Sequence, residues 1–89
     1  MQDEAYYSSK YPTVPHPVLT SVIAYVNQHR AVGGFVRSVL ENDLQRALGS
    51  ADGRSLVALR EIAKFVYYEV PSNCCGSSKA VAEWLGDRS

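Results

Sequence analysis

Apolar residues recur every three to four positions along most of this 89-residue chain, and glycine or proline breaks the pattern at a few sharp places. That period is the mark of helices with one buried face. Val18, Leu19, Val22, Ile23 and Val26 share such a face, with His29 at its end, which predicts a helix from about Pro17 to Arg30. Pro17 suits the first turn, where its missing N–H costs nothing. Val36, Val39, Leu40 and Ala47, with Leu44 on one shoulder, predict a second helix from about Phe35 to Leu48, stopped by Gly49. A third is predicted to start at the N-cap Asp52 and to end at Val70, before Pro71. Its main stripe is Leu56, Leu59, Ile62, Ala63, Val66 and Val70, while Val57, Phe65 and Tyr68 lie towards the other side. Apolar groups on both sides call for two covers: the N-terminal segment, the last helix or another subunit. That last helix is predicted to be capped by Ser77 or Ser78 and to bury Val81, Trp84 and Leu85. The expected fold is all-α, a compact bundle of about four helices forming a single domain over residues 16–89.

Residues 1–15 show no helical period and hold three tyrosines, two serines and two prolines, so they read as an extended, Tyr-rich tail. Tyr6, Tyr7 and Tyr11 are more aromatic content than a free tail carries, so the tail is expected to dock.

So short a chain buries one modest core and is often helped by disulfides, a metal or self-association. Its only cysteines, Cys74 and Cys75, are neighbours and staple nothing. No Cys or His cluster has zinc-ligand spacing, so no metal or other cofactor is expected. A homo-oligomer, dimer or larger, is the remaining stabiliser. Formal charge is zero, with both signs mixed and no basic stripe, against binding to a DNA or RNA duplex. No apolar run is long enough to cross a membrane, and the N-terminus begins with acidic rather than basic residues, so a cytoplasmic protein is expected.

Four features could carry chemistry. Gly33-Gly34 before Phe35 reads either as a tight turn or as a turn that also lets an anion approach a helix N-terminus. The Lys-Ser or Lys-Thr of a nucleotide-hydrolase loop is missing. Asp43 falls inside the apolar face of the second predicted helix, where a carboxylate must be paired. It either caps a helix or bonds a tyrosine, or it lines a cleft with Asn42 beside it. His29 reads as packed against the core or bonded to a helix-end carbonyl rather than as catalytic. Cys74-Cys75-Gly76-Ser77 reads as a connecting loop, or as a second anion-binding helix entrance.

Gly33-Gly34-Phe35, Val39-Leu40-Glu41-Asn42-Asp43-Leu44, Ala51-Asp52, Phe65-Val66-Tyr67-Tyr68, Pro71 and Cys74-x-Gly76-Ser77 occur in one order over about half the chain. This series resembles a group of small uncharacterised bacteriophage proteins, although Cys75 stands where that pattern often has Trp. The resemblance implies a modulator of host systems acting in the cytoplasm of an infected bacterium. One such class is the signal-sequestering anti-defence protein, an oligomer that holds immune nucleotides between subunits without catalysis. On that reading Gly33, Gly34 and Phe35 meet phosphate, with Arg37 balancing charge. Asn42, Asp43 and Tyr68 meet ribose or base, and Gly76 and Ser77 close the pocket. The rivals are a protein-binding adaptor or inhibitor of a host protein, using the third helix and the tail, and a small nucleotide-cleaving enzyme using Asp43 or Cys75.

Overall fold

The computed structural model describes residues 1–86; the last three residues of the expected 16–89 domain lie outside that range. Among the described residues the chain is all-helical. In order it forms α1 (Glu4–Lys10), α2 (His16–Gln28), α3 (Gly34–Leu40), α4 (Leu44–Ser50), α5 (Gly53–Val57), α6 (Leu59–Glu69), a 3-10 turn at Ser72–Cys74 and α7 (Ser78–Leu85). Seven short helices thus stand where about four were expected. The extra breaks have local causes.

The N-terminal segment is not extended. Asp3 accepts the Tyr6 N–H at 3.0 Å and caps α1, with Glu4 in its first turn and Lys10 in its last, each suited to the helix dipole. The segment does dock. Tyr7, Tyr11 and Val14 are buried, and the rings of Tyr7 and Tyr11 both meet Phe65 edge-on at 5.3 Å. One apolar cluster joins these three to Val18, Leu19, Val22, Tyr25, Val36, Leu40, Ile62, Phe65 and Val81.

The predicted helix 35–48 breaks in the middle. The Asn42 N–H bonds to the Val39 carbonyl at 3.1 Å and the Asp43 N–H to the Ser38 carbonyl at 2.8 Å, a Schellman closure of α3. Asn42 takes the left-handed conformation this closure requires, at φ 62°, which asparagine tolerates better than other residues with a side chain. Asp43 then caps α4 by accepting the Arg46 N–H at 3.1 Å. The carboxylate predicted on an apolar helix face is therefore an N-cap, and the two short helices fold back on each other.

The predicted helix 52–70 starts at its predicted cap, since Asp52 accepts the Ser55 N–H at 2.7 Å, but it bends at Ala58 between α5 and α6. Its buried face also differs from the main stripe expected. Ala58, Ile62, Phe65, Val66 and Val70 are buried, because α1 supplies aromatic cover for Phe65. Leu56 and Ala63 face outwards instead.

α2 is tied to the C-terminal end by three polar contacts. The Tyr25 hydroxyl donates to the Cys74 carbonyl at 2.6 Å, and Trp84 Nε1 donates to the Tyr25 carbonyl at 2.8 Å. His29 closes α2 at φ 53° and stacks on Trp84 with ring centres 4.1 Å apart. Its Nδ1 lies 2.7 Å from the Trp84 carbonyl. A carbonyl only accepts, so this nitrogen carries a proton. His29 is solvent-exposed rather than packed in the core, and it bonds a carbonyl near the end of α7, the other role its place at the end of the stripe suggests. Ser77 caps α7 by accepting the Ala80 N–H at 3.1 Å. Val81 is buried and Trp84 and Leu85 are partly so.

Candidate functional site

The residues singled out in the sequence fall in three separate places. Gly33 caps α3 at φ −69°, a conformation open to any residue, and among the described residues, chain neighbours and the helix's own backbone aside, nothing approaches within 4 Å of where a Cβ would stand on Gly33 or Gly34. With half-buried Phe35 they line a shallow groove of about 350 Å3 beside Pro17, Val18, Ser50, Asp52 and Ser55. The only charged group in that lining is Asp52, whose carboxyl is held below its usual range by the N–H and hydroxyl of Ser55. The groove expected to meet phosphate therefore carries negative charge.

The second place is the α3–α4 corner. Glu41 is buried there and receives Arg37 Nε at 2.9 Å and Arg46 Nη1 at 3.2 Å. Arg37 is thus engaged within the fold rather than held ready for a ligand. Asn42 and Asp43 share a groove of about 460 Å3 with Leu44, Gln45, Arg46 and Ser78. The Gly76 N–H donates to the Leu40 carbonyl at 2.6 Å, and φ of +100° at this residue is a value glycine alone adopts without strain. Gly76 and the Ser77 cap so fix the loop after α6 to the end of α3. Of the start of α7, the groove lined by Asn42 and Asp43 includes Ser78, and its lining takes in none of Gly33, Tyr68, Gly76 or Ser77.

Tyr68 marks the third place, on the flank of α5–α6 that faces the N-terminal segment. Two grooves lie there, with no lining residue in common. One, of about 640 Å3, is lined by Thr13, Pro15, Gly53, Arg54, Val57, Ala58, Arg60 and Glu61. The other, of about 490 Å3, is lined by Lys10, Tyr11, Lys64, Tyr68 and Glu69. The spacing 57, 61, 64, 68 puts one wall on a single helical flank, and residues 10–15 form the other wall.

Both carboxylates of this cleft are already paired. Glu69 meets Lys10 Nζ at 2.9 Å and the Tyr11 hydroxyl at 2.7 Å, and Glu61 meets Lys64 at 3.5 Å. Arg54 and Arg60 are exposed and enter no ion pair among the described residues. Between them Val57 is 89 % exposed, and Tyr68 is 67 % exposed at the far end. The cleft thus sets two exposed arginines, Arg54 with Asp52 as an electrostatic neighbour and Arg60 in a lining shared with Glu61, next to bare apolar surface. The sequence marked Tyr68 and the second side of this helix. It did not mark Arg54, Arg60 or Thr13, because their grouping depends on α1 docking.

The Lys10–Glu69–Tyr11 cluster makes one clear pH prediction. Hydrogen bonds from Lys10 and Tyr11 lower the Glu69 pKa, while burial and the same carboxylate push Tyr11 up to about 12. A depressed carboxylate stabilises the fold above its unfolded pKa, and that stability is lost as pH falls through the folded value. Tyr11→Phe should cost about 1–2 kcal/mol at pH 7 in urea unfolding, since the bond lost is to a charged acceptor. The gap to wild type should narrow as pH falls below the ordinary glutamate range and Glu69, with its lowered pKa, protonates. A gap that stays constant with pH would contradict the assignment.

Burial raises the thiol of Cys74 to about 11 and also raises that of Cys75, with both sulfurs directed at the Pro71 carbonyl. Both stay protonated at neutral pH, the reverse of an activated nucleophile. No family model, curated protein or solved structure matches the chain.

Proposed function

We propose that this chain is a non-catalytic protein-binding module, which takes an acidic, partly apolar segment of a partner protein in the cleft between residues 10–15 and α5–α6. The observation that carries this reading is the pair Arg54 and Arg60, outside any ion pair among the described residues and flanking Val57. An acidic side chain from a partner meets the guanidinium groups, for which arginine's planar fork is well shaped. An apolar neighbour in the same segment covers Val57, and an aromatic or aliphatic one reaches Tyr68. An exposed cleft with open ends suits an extended peptide, and charge at its rim steers encounter. In this reading the chain is the adaptor or inhibitor of a host protein, the rival set beside nucleotide capture.

Selection from a library of random twelve-residue peptides against the full chain tests the proposal. Retained sequences should be rich in Asp and Glu with one or two apolar positions, and their binding should weaken as salt rises. Retained peptides without acidic enrichment, or none at all, would remove the reading.

Capture of a small nucleotide-type signal is a second reading. It draws support from Asn42, Asp43 and Ser78 sharing one polar groove, where amide and carboxylate groups could bond ribose hydroxyls. The carboxylates at that corner oppose a phosphate. Calorimetric titration with cyclic dinucleotides and ADP-ribose decides it, and absence of heat at millimolar ligand retires it.

A further inference from the structure

The opposite flank of α6 carries a different surface. Leu44 and Leu48 stand one turn apart on α4, and Leu59, Ala63 and Tyr67 stand one turn apart on α6. Leu44, Leu59 and Ala63 line one narrow cleft, floored by Val39 and Ala47. Leu44 and Tyr67 are 62 % and 78 % exposed, and Leu48 and Leu56 are each about half exposed. Among the described residues nothing covers Leu44, Leu48, Leu56 or Tyr67 fully.

We infer that this face is a two-fold interface, in which a second copy of the same chain packs its α4 and α6 ridges into the groove. The shape argues for side chains from another helix as occupants. The cleft holds about 90 Å3, roughly three waters' share of liquid volume and well below the 300 Å3 of a small-molecule site. It fits one aliphatic side chain, and the ridge on either side of it presents such side chains at the spacing needed for ridge-in-groove packing.

Area points the same way. Leu44, Leu48, Leu56 and Tyr67 leave roughly 400 Å2 bare per copy, or about 800 Å2 in a pair, before any flanking residue is counted. A specific interface needs about 1,200 Å2 in total, so modest flanking contact completes one. The stripe Leu59–Ala63–Tyr67 is itself uncharged, with Asp43 in the cleft lining and exposed Arg60 beside the stripe at its rim. The small side chain of Ala63 at its centre lets two α6 helices approach closely.

Finally, α4 has seven residues and buries only Ala47. So short a helix is marginal alone and needs cover throughout the life of the fold. A second copy is the partner always present in proportion. This inference uses the flank away from Arg54 and Val57, and it stands independently of the peptide cleft.

The test is sedimentation equilibrium on the full chain, with two variants at an exposed position. Wild type should be a dimer at tens of micromolar. Ala63→Glu and Ala63→Lys should each be monomeric, with dissociation constants raised about 100-fold or more by like charges at the axis. Mixed in equal amounts, the two should regain the dimer mass, because only a two-fold interface sets Glu against Lys. Far-UV circular dichroism checks that both stay helical, and Leu44→Gln replaces either one that does not. A monomeric wild type, whose groove is then free for a foreign helix, would overturn the inference. So would a mass above the dimer, a variant that stays dimeric, or a mixture that stays monomeric.

Discussion

Phe65→Ala should lower the stability of the chain by about 3–5 kcal/mol, the range for emptying a fully buried aromatic site. Phe65 has no exposed surface, and it is the one ring that both Tyr7 and Tyr11 meet. Removing it deletes the aromatic contact between the N-terminal segment and α6 and leaves only the polar Lys10–Glu69–Tyr11 link, so the loss should not stay local. A domain of this size has only about 5–13 kcal/mol to lose. The melting temperature should therefore fall by more than about 12 °C. Limited proteolysis should then cut near Tyr11–Val14, where the segment leaves its seat. Val57→Ala, at the end of neighbouring α5 and exposed, should change stability by less than about 0.5 kcal/mol. A small effect for Phe65→Ala would mean that the N-terminal segment is not part of the core.

That seat matters for function because residues 10–15 form one wall of the cleft. Arg54→Glu with Arg60→Glu should weaken a selected acidic peptide by about 100-fold, with each reversal removing a charge-assisted contact and adding repulsion. The double variant should unfold at nearly the wild-type urea concentration, since neither arginine enters an ion pair among the described residues. Arg54→Lys with Arg60→Lys should keep the electrostatic attraction and lose the forked geometry, so its affinity should fall in between. If charge reversal leaves affinity unchanged, the peptide lies elsewhere.

Much of the helical order is legible in the sequence. Asp52 and Ser77 cap the helices they were expected to cap, and the chain leaves helix before Pro71. The break at Asn42–Asp43 is harder to see, because the apolar period of Val36, Val39, Leu40 and Ala47 runs straight across it. The signal was the Asn-Asp pair itself, two residues whose short polar side chains favour turns and caps over helix interiors. α1 was hidden for another reason. Seven residues with one buried tyrosine show no period, although Asp3, Glu4 and Lys10 sit where a cap and a dipole would want them. Leu56 and Ala63 belong to the expected stripe and still face outwards, since Phe65 gained a partner that the helical period could not reveal. The cleft was less legible than the helices. Tyr68 was marked, but Thr13 and Arg54 are neighbours only because a segment 40 residues away in sequence docks beside α5. Gly33 and Asp43, which drew attention first, prove to be a helix start and a helix cap in different places.

The central claim is that partner recognition lies in the cleft between residues 10–15 and α5–α6. Backbone amide chemical-shift mapping with a selected acidic peptide tests it most directly, on a chain small enough for complete assignment. Shifts should concentrate at Thr13, Arg54, Val57, Arg60 and Tyr68, with Gly33 and Gly34 unmoved. Shifts centred on Gly33–Phe35, or on Asn42 and Asp43 with Ser77, would contradict it.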